Sequence, residues 1–190
     1  MITNYAVFSG AVSKELCDKI VSIGYMYPEQ EGTTQATKDF KVDKTLRTSS
    51  IRWINALKHL ELNTLLEGYV NSVNRDRLGF DISYGPESYQ YTEYHGTVNG
   101  HYGWHIDCLY DNNAIVDRKI TICIHLSKPE DFEGGKFCLD TCVTPKFDPE
   151  SMSPQGSVLV FPSYIKHCVT PITKGTRKSL VVWYGGPRYR

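Results

Sequence analysis

The sequence predicts a mainly β fold, a sandwich or jelly roll with supporting helices in its first third. Three observations predict it. From residue 80 onward, short runs rich in β-branched and aromatic residues alternate with clusters of Gly, Pro, Asn and Asp. Aromatic residues make up 12% of the chain and include 13 Tyr, a composition that favours strands. The chain has 190 residues, enough for one domain with a real core and too few for a catalytic domain plus a large binding domain.

The elements follow in order. Ser13 is a natural N-cap, and Leu16, Ile20 and Ile23 recur at helical spacing, so residues 13–24 read as a short amphipathic helix ended by Gly24. Residues 28–44 are polar and aperiodic and read as a long surface loop. Residues 48–54 suit a strand. Residues 59–78 carry Leu62, Leu65, Leu66, Tyr69, Val70 and Val73 on one helical stripe, with Gly79 beyond its end. Strands are then expected near 88–95, 101–107, 118–127, 135–140, 156–161, 166–170 and 177–184. The expected organisation of residues 1–190 is a single domain, with 1–79 as helical support and loop and 80–187 as the jelly-roll core.

Charge and cysteine narrow the function classes. Lys plus Arg number 21 and Asp plus Glu number 21, so no net field points to nucleic acid, a membrane surface or a polyanion. The six Cys form no Cys-x-x-Cys pair, and Cys138 and Cys142 lack the second pair a zinc site needs. The N-terminus lacks a basic start followed by an apolar run, and no apolar stretch approaches the ~18 residues that span a bilayer. A soluble, reducing, cytoplasmic setting without disulfides is expected.

Chemistry concentrates in Gly103-Trp104-His105-Ile106-Asp107. On a strand, His105 and Asp107 at i and i+2 leave the same face, with Cα atoms about 7 Å apart. The pair alone is weak evidence, since 6 His and 11 Asp give about 0.3 such matches per chain by chance. His167 lies in a second β-like run before Pro171 and a turn ending at Gly175. Two imidazoles and one carboxylate on one face would leave adjacent positions of an octahedral ion open, which suits non-haem iron(II). Arg177 comes ten residues after His167. A hairpin there would set its guanidinium one strand over from the metal, as a two-pronged grip for a carboxylate.

These residues sit in a longer pattern. It comprises Tyr94 followed by Gly100 and Tyr102 through Asp107; Arg118-Lys119-Ile120-Thr121 leading into Ile124-His125-Leu126-Ser127; Glu133 through Phe137; Pro154-Gln155-Gly156 through Val160-Phe161-Pro162; and His167 through Arg177 to Trp183. Together, over roughly residues 88 to 187, these blocks resemble the iron(II)/2-oxoglutarate-dependent dioxygenases, in particular their prolyl-4-hydroxylase-like branch. The resemblance implies a double-stranded β-helix and metal ligands His105, Asp107 and His167. It implies Arg177 on the distal carboxylate of 2-oxoglutarate, with Thr121, His125, Tyr94 and Tyr102 as further cosubstrate contacts. The implied cofactors are iron(II) and 2-oxoglutarate, with ascorbate, and the implied partners are dioxygen and a peptide or small-molecule substrate.

Two departures stand out. Many relatives carry Tyr or Leu where this chain has His125, and the spacing from Tyr94 to His105 is about one residue longer than the commonest pattern. His95 and His101 flank the region without belonging to the motif. Trp104 and Trp183 read as core. The function implied is hydroxylation of a peptidyl or amino-acid-like substrate, prolyl hydroxylation foremost, with release of succinate and CO2. Two alternatives stay open. One is a nucleic-acid demethylase of the same cofactor class, disfavoured by zero net charge and by Trp183 standing six residues after Arg177, where that branch commonly has a second arginine. The other is a non-catalytic metal-binding jelly roll. A halogenase is disfavoured because Asp107 retains the carboxylate. The substrate rim is expected in residues 28–44, 108–117 and 140–153.

Overall fold

The computed structural model describes residues 4–34, 42–108, 115–141 and 146–189. Parts of all three expected rim segments, and Cys142, lie outside the described residues. Helix α1 (Lys14–Gly24) starts where Ser13 accepts a hydrogen bond from the Leu16 N–H at 3.2 Å. It buries Cys17, Ile20 and Gly24. Gly24 is the last helical residue, and the reason is contact: a Cβ there would lie 2.8 Å from the Tyr91 ring. Helix α2 (Leu60–Val73) buries Leu62, Leu66, Val70 and Val73, then widens into a π turn over Asn74–Leu78 before Gly79.

Two sheets face each other. The strands are β1 (Ala6–Phe8), β2 (Gln30–Glu31), β3 (Arg47–Thr48), β4 (Ser50–Asn55), β5 (Ser88–His95), β6 (His101–His105) and β7 (Val116–His125), then β8 (Phe132–Gly134), β9 (Phe137–Leu139), β10 (Val158–Pro162), β11 (His167–Val169) and β12 (Ile172–Pro187). The larger sheet runs β1-β10-β7-β12-β5-β4-β2, with β8 paired to the start of β12, and the smaller runs β3-β6-β11-β9. Among the described residues, the first 79 positions therefore supply four strands as well as the two helices. Among the described residues, no helix is long and apolar enough to cross a membrane.

Alternation along β7 builds both cores. Ile120, Ile122 and Ile124 join one apolar cluster with Ile20, Leu66 and Val70 of the helices. Cys123 joins a second with Phe137, Leu159 and Phe161 between the sheets, where Thr121 and His125 are also buried. Each buried Ile contributes about 1.5–3 kcal/mol, so the helices clamp the larger sheet and leave its other face to form the site.

One expected feature is corrected. His167 and Arg177 are not neighbours on a hairpin: β11 pairs with β6 and β9, whereas β12 pairs with β5, β7 and β8 in the opposite sheet. Pro171 cannot donate to the β11 ladder, and its carbonyl accepts from Gly135 instead, so the chain crosses the sandwich there. Gly175 is inside β12 at the crossing rather than at a turn, with φ +69°, and a Cβ would sit 1.9 Å from the Asp131 carbonyl oxygen. Gly175→Ala is expected to destabilise the fold by about 2–4 kcal/mol through backbone strain and collision. Gly68→Ala, in α2 with open space around the new methyl group, should stabilise by about 0.5–1 kcal/mol. Urea unfolding of the two variants against the parent checks both signs.

Candidate active site

His105 ends β6 directly opposite His167 of β11. Asp107 lies beyond the strand end, not on it; its backbone N–H donates to the Ser163 carbonyl at 2.8 Å, and this holds its side chain beside the two rings. His105 Nε2 is 3.8 Å from Asp107 Oδ1, and His167 Nε2 is 3.4 Å from Asp107 Oδ2. One ligand atom from each residue falls within 4.8 Å of the other two.

The imidazoles are oriented from behind. His105 Nδ1 is 2.8 Å from the Gly103 carbonyl and His167 Nδ1 is 2.9 Å from the Ile165 carbonyl. A carbonyl only accepts, so each Nδ1 carries a proton and each Nε2 faces the cluster as the coordinating nitrogen. Tyr102 stacks on His105 at 3.5 Å between ring centroids, and Phe137 stacks on His167 at 5.6 Å. Burial, then His167, pushes the His105 pKa down to about 3. Burial works against the Asp107 carboxylate, but the His167 and His105 rings and the Arg118 guanidinium more than offset it, and the carboxyl is held below its usual range. Two imidazole nitrogens and an ionised carboxylate within 4.8 Å of one another, with no further His, Cys, Asp or Glu in the cluster among the described residues, fit a non-haem iron(II) ion.

Arg177 projects from the facing sheet beside Tyr94, its Cα partner on β5. It is 4% exposed, its guanidinium is 5.8 Å from the centre of the Tyr94 ring, and no acid among the described residues pairs with it. Burial pulls its pKa down. Arg177 lines a pocket of about 170 Å³ with His125, Phe132, Gly135, Phe137 and Met152. Phe137 is thus a wall shared with His167. Gly135 is part of the fit: its φ is +62°, and a Cβ would stand 3.1 Å from Arg177 Cδ. His125 is 2% exposed, and neither ring nitrogen has a hydrogen-bond partner. A buried cation without an acid, beside a buried imidazole without a partner, is an arrangement that a bound carboxylate would satisfy.

The other expected contacts separate. Tyr94 and Tyr102 lie by the site, and burial raises both phenols, Tyr102 to about 12. Thr121 turns its hydroxyl to Asp107 at 2.8 Å rather than toward the Arg177 pocket. His95 contacts Ser50 and Thr176, and His101 contacts the Asn99 carbonyl, so neither joins the cluster. Trp104 is 54% exposed and is not core. Sequence reasoning missed Arg118, whose guanidinium lies 3.9 Å over the Trp183 ring and acts on Asp107. It also missed Arg47, 4.5 Å over the Tyr102 ring with one buried Nη2 unpartnered. Strand alternation hid Arg118: the irregularity between Tyr184 and Gly185 resets which face it shares with Thr121.

The fold and this site define a jelly-roll protein with a candidate His-Asp-His metal cluster on one sheet and a buried arginine on the other. Residues 89–185, just over half of the chain, match the family model of the 2OG-Fe(II) oxygenase superfamily, and the chain belongs to that family. It is 30% identical over 94 residues to a PKHD-type hydroxylase of Verminephrobacter eiseniae (strain EF01-2), a match covering 47% of this chain and 40% of that protein. The viral collagen prolyl hydroxylase of Paramecium Bursaria Chlorella virus-1 superposes with a TM-score of 0.68 at 17% identity, over 96% of each chain. The Trichoplax adhaerens prolyl hydroxylase, solved in complex with a hypoxia inducible factor oxygen degradation domain peptide fragment, superposes with a TM-score of 0.69 at 21% identity, over 96% of this chain and 83% of the other.

Proposed function

We propose that the protein is an iron(II)- and 2-oxoglutarate-dependent dioxygenase that hydroxylates a peptidyl or amino-acid-like substrate, prolyl hydroxylation being the leading subclass, with release of succinate and CO2. The observation that carries the reading is the pairing of the His105, Asp107 and His167 cluster with the acid-free Arg177 across one sandwich. A metal held by those three side chains would supply the oxygen activation, and the chain's own residues do the rest. Arg177 and His125 take the far carboxylate of the cosubstrate, fixing its length axis toward the cluster. His105 and His167 keep their Nε2 atoms inward through their carbonyl partners. Tyr102 and Phe137 shield the rings from water. Arg118, carried on Trp183, offers donors to a carbonyl or carboxylate of the substrate.

A peptidyl substrate is supported by likeness to the prolyl hydroxylase solved with a peptide fragment. Zero net charge favours it over a nucleic acid. Five free cysteines among the described residues support a reducing, cytoplasmic setting. The test is succinate output with proline-rich peptides, free amino acids and methylated oligonucleotides. Release with the first or second class is expected. Release only with oligonucleotides would replace the substrate assignment, and none with any class would leave a binding module.

His125 gives a pH dependence. Burial, then Arg177, pushes its pKa down to about 3. Above the unfolded value near 6.5 the ring is neutral in both states and contributes no slope. As pH falls from there toward 3, the unfolded chain takes a proton that the fold refuses, so stability drops by about 1.4 kcal/mol per pH unit. His125→Phe should remove that increment and leave the equal one from His105, whose pKa burial also pushes down to about 3, so the slope of urea stability between pH 4 and pH 7 should fall by about 1.4 kcal/mol per pH unit rather than vanish.

A further inference from the structure

We propose that Thr121, itself oriented by Ser163, is the positioning residue that holds Asp107 as a one-oxygen metal ligand. This rests on the reading of Asp107 as a ligand. Thr121 Oγ1 lies 2.8 Å from Asp107 Oδ2 and 3.0 Å from Ser163 Oγ. An ionised carboxylate only accepts, so the single Thr121 proton goes to Asp107, and the Ser163 hydroxyl must then donate to Thr121. The relay runs Ser163 to Thr121 to Asp107 Oδ2, and both hydroxyl residues are fully buried.

Ser163 grips the same residue twice. Its carbonyl accepts the Asp107 N–H at 2.8 Å and the Cys108 N–H at 3.2 Å, while its own N–H donates to the Lys119 carbonyl at 2.9 Å. Backbone and side chain of Asp107 are therefore both referenced to β7 and to the turn after β10. This matters because Asp107 has left its strand and has no ladder to fix it. Thr is the apt donor: β-branching limits its χ1, so the hydroxyl direction is set before any ion arrives. With Oδ2 engaged, Oδ1 is left to the ion. The hydroxyl that a cosubstrate role would need is already committed.

The test is Mn(II) affinity by electron paramagnetic resonance without cosubstrate, followed by 2-oxoglutarate affinity at saturating metal, for Thr121→Val, Thr121→Ser and Ser163→Ala. Thr121→Val should weaken Mn(II) binding about 10- to 100-fold and leave 2-oxoglutarate affinity within about twofold. Thr121→Ser should restore most of the loss, which a packing role for the lost methyl would not allow. Ser163→Ala should weaken Mn(II) roughly 3- to 10-fold, and it carries the test if the valine variant does not fold. Parental Mn(II) affinity in the folded variants, or a loss confined to 2-oxoglutarate, overturns the proposal. If the parent protein itself binds no Mn(II), the metal reading falls first, and this inference with it.

Discussion

Replacing Arg177 with methionine is expected to weaken 2-oxoglutarate binding on the order of 100-fold or more and, in the same variant, to raise the unfolding midpoint of the ligand-free protein. The first effect follows from removing the cationic half of a buried charge pair, a loss of about 2–5 kcal/mol. The second follows from the absence of an acid partner. Arg177 is 4% exposed, its guanidinium lies over the Tyr94 ring, no acid among the described residues pairs with it, and the neighbouring His125 is kept neutral by burial and by the guanidinium itself. The ligand-free fold therefore carries an uncompensated charge, and methionine fills similar space without it. Relief of about 1 kcal/mol corresponds to about 2–4 °C in a domain of this size. Calorimetric titration of metal-loaded protein and thermal melts of ligand-free protein give the two numbers. Opposite signs identify a residue kept for binding at the expense of the fold. A fall in the midpoint would show that Arg177 also supports the fold, and an unchanged 2-oxoglutarate affinity would remove the cosubstrate clamp.

What the sequence disclosed follows the physics of each signal. The helices were legible because a 3.6-residue apolar stripe over three or more turns is a long-range regularity, as at Leu62, Leu66 and Val70. The central strands were legible as short β-branched and aromatic runs bounded by Gly, Pro, Asn and Asp, not by alternation, since β5, β7 and β10 are buried along almost their whole length. Strands β1, β2 and β3 have three, two and two residues, too few for any period, and they exist because neighbouring sheets offer edges to them. His105, Asp107 and His167 were readable as a set because ligand chemistry restricts residue type. Their convergence depends on a carbonyl of Ser163 and on the pairing of β6 with β11, neither of which has a sequence signature. The sheet that carries Arg177 was misread because a ten-residue separation suggests a hairpin, whereas Pro171 ends one ladder and Gly175 lets the chain enter another. Arg47 and Arg118 stayed hidden because only tertiary packing shows that they lie over Tyr102 and Trp183.

His167→Ala is the second large effect. His167 is 4% exposed, its Nε2 is 3.4 Å from Asp107 Oδ2, and its ring is packed between Phe137 and Phe161. Alanine removes one of three donors and leaves a chelate of two, so metal affinity should fall at least about 100-fold. Three readouts should move together. Anaerobic addition of iron(II) and 2-oxoglutarate to the parent should give a weak visible band that the variant lacks. Metal at 100 times its dissociation constant should stabilise the parent by about 2.7 kcal/mol, roughly 5–10 °C, and the variant by almost nothing. The variant should itself lose about 1–3 kcal/mol without metal, since deleting the ring opens a void between two aromatics. That last loss is why the difference between metal-loaded and metal-free melts, rather than either melt alone, carries the result. A variant that is merely loosened keeps the difference, and a variant that has lost a ligand erases it. If the difference survives in His167→Ala but disappears in His105→Ala, the ion sits on β6 without β11, and the cross-strand pairing of the two histidines has no part in holding it.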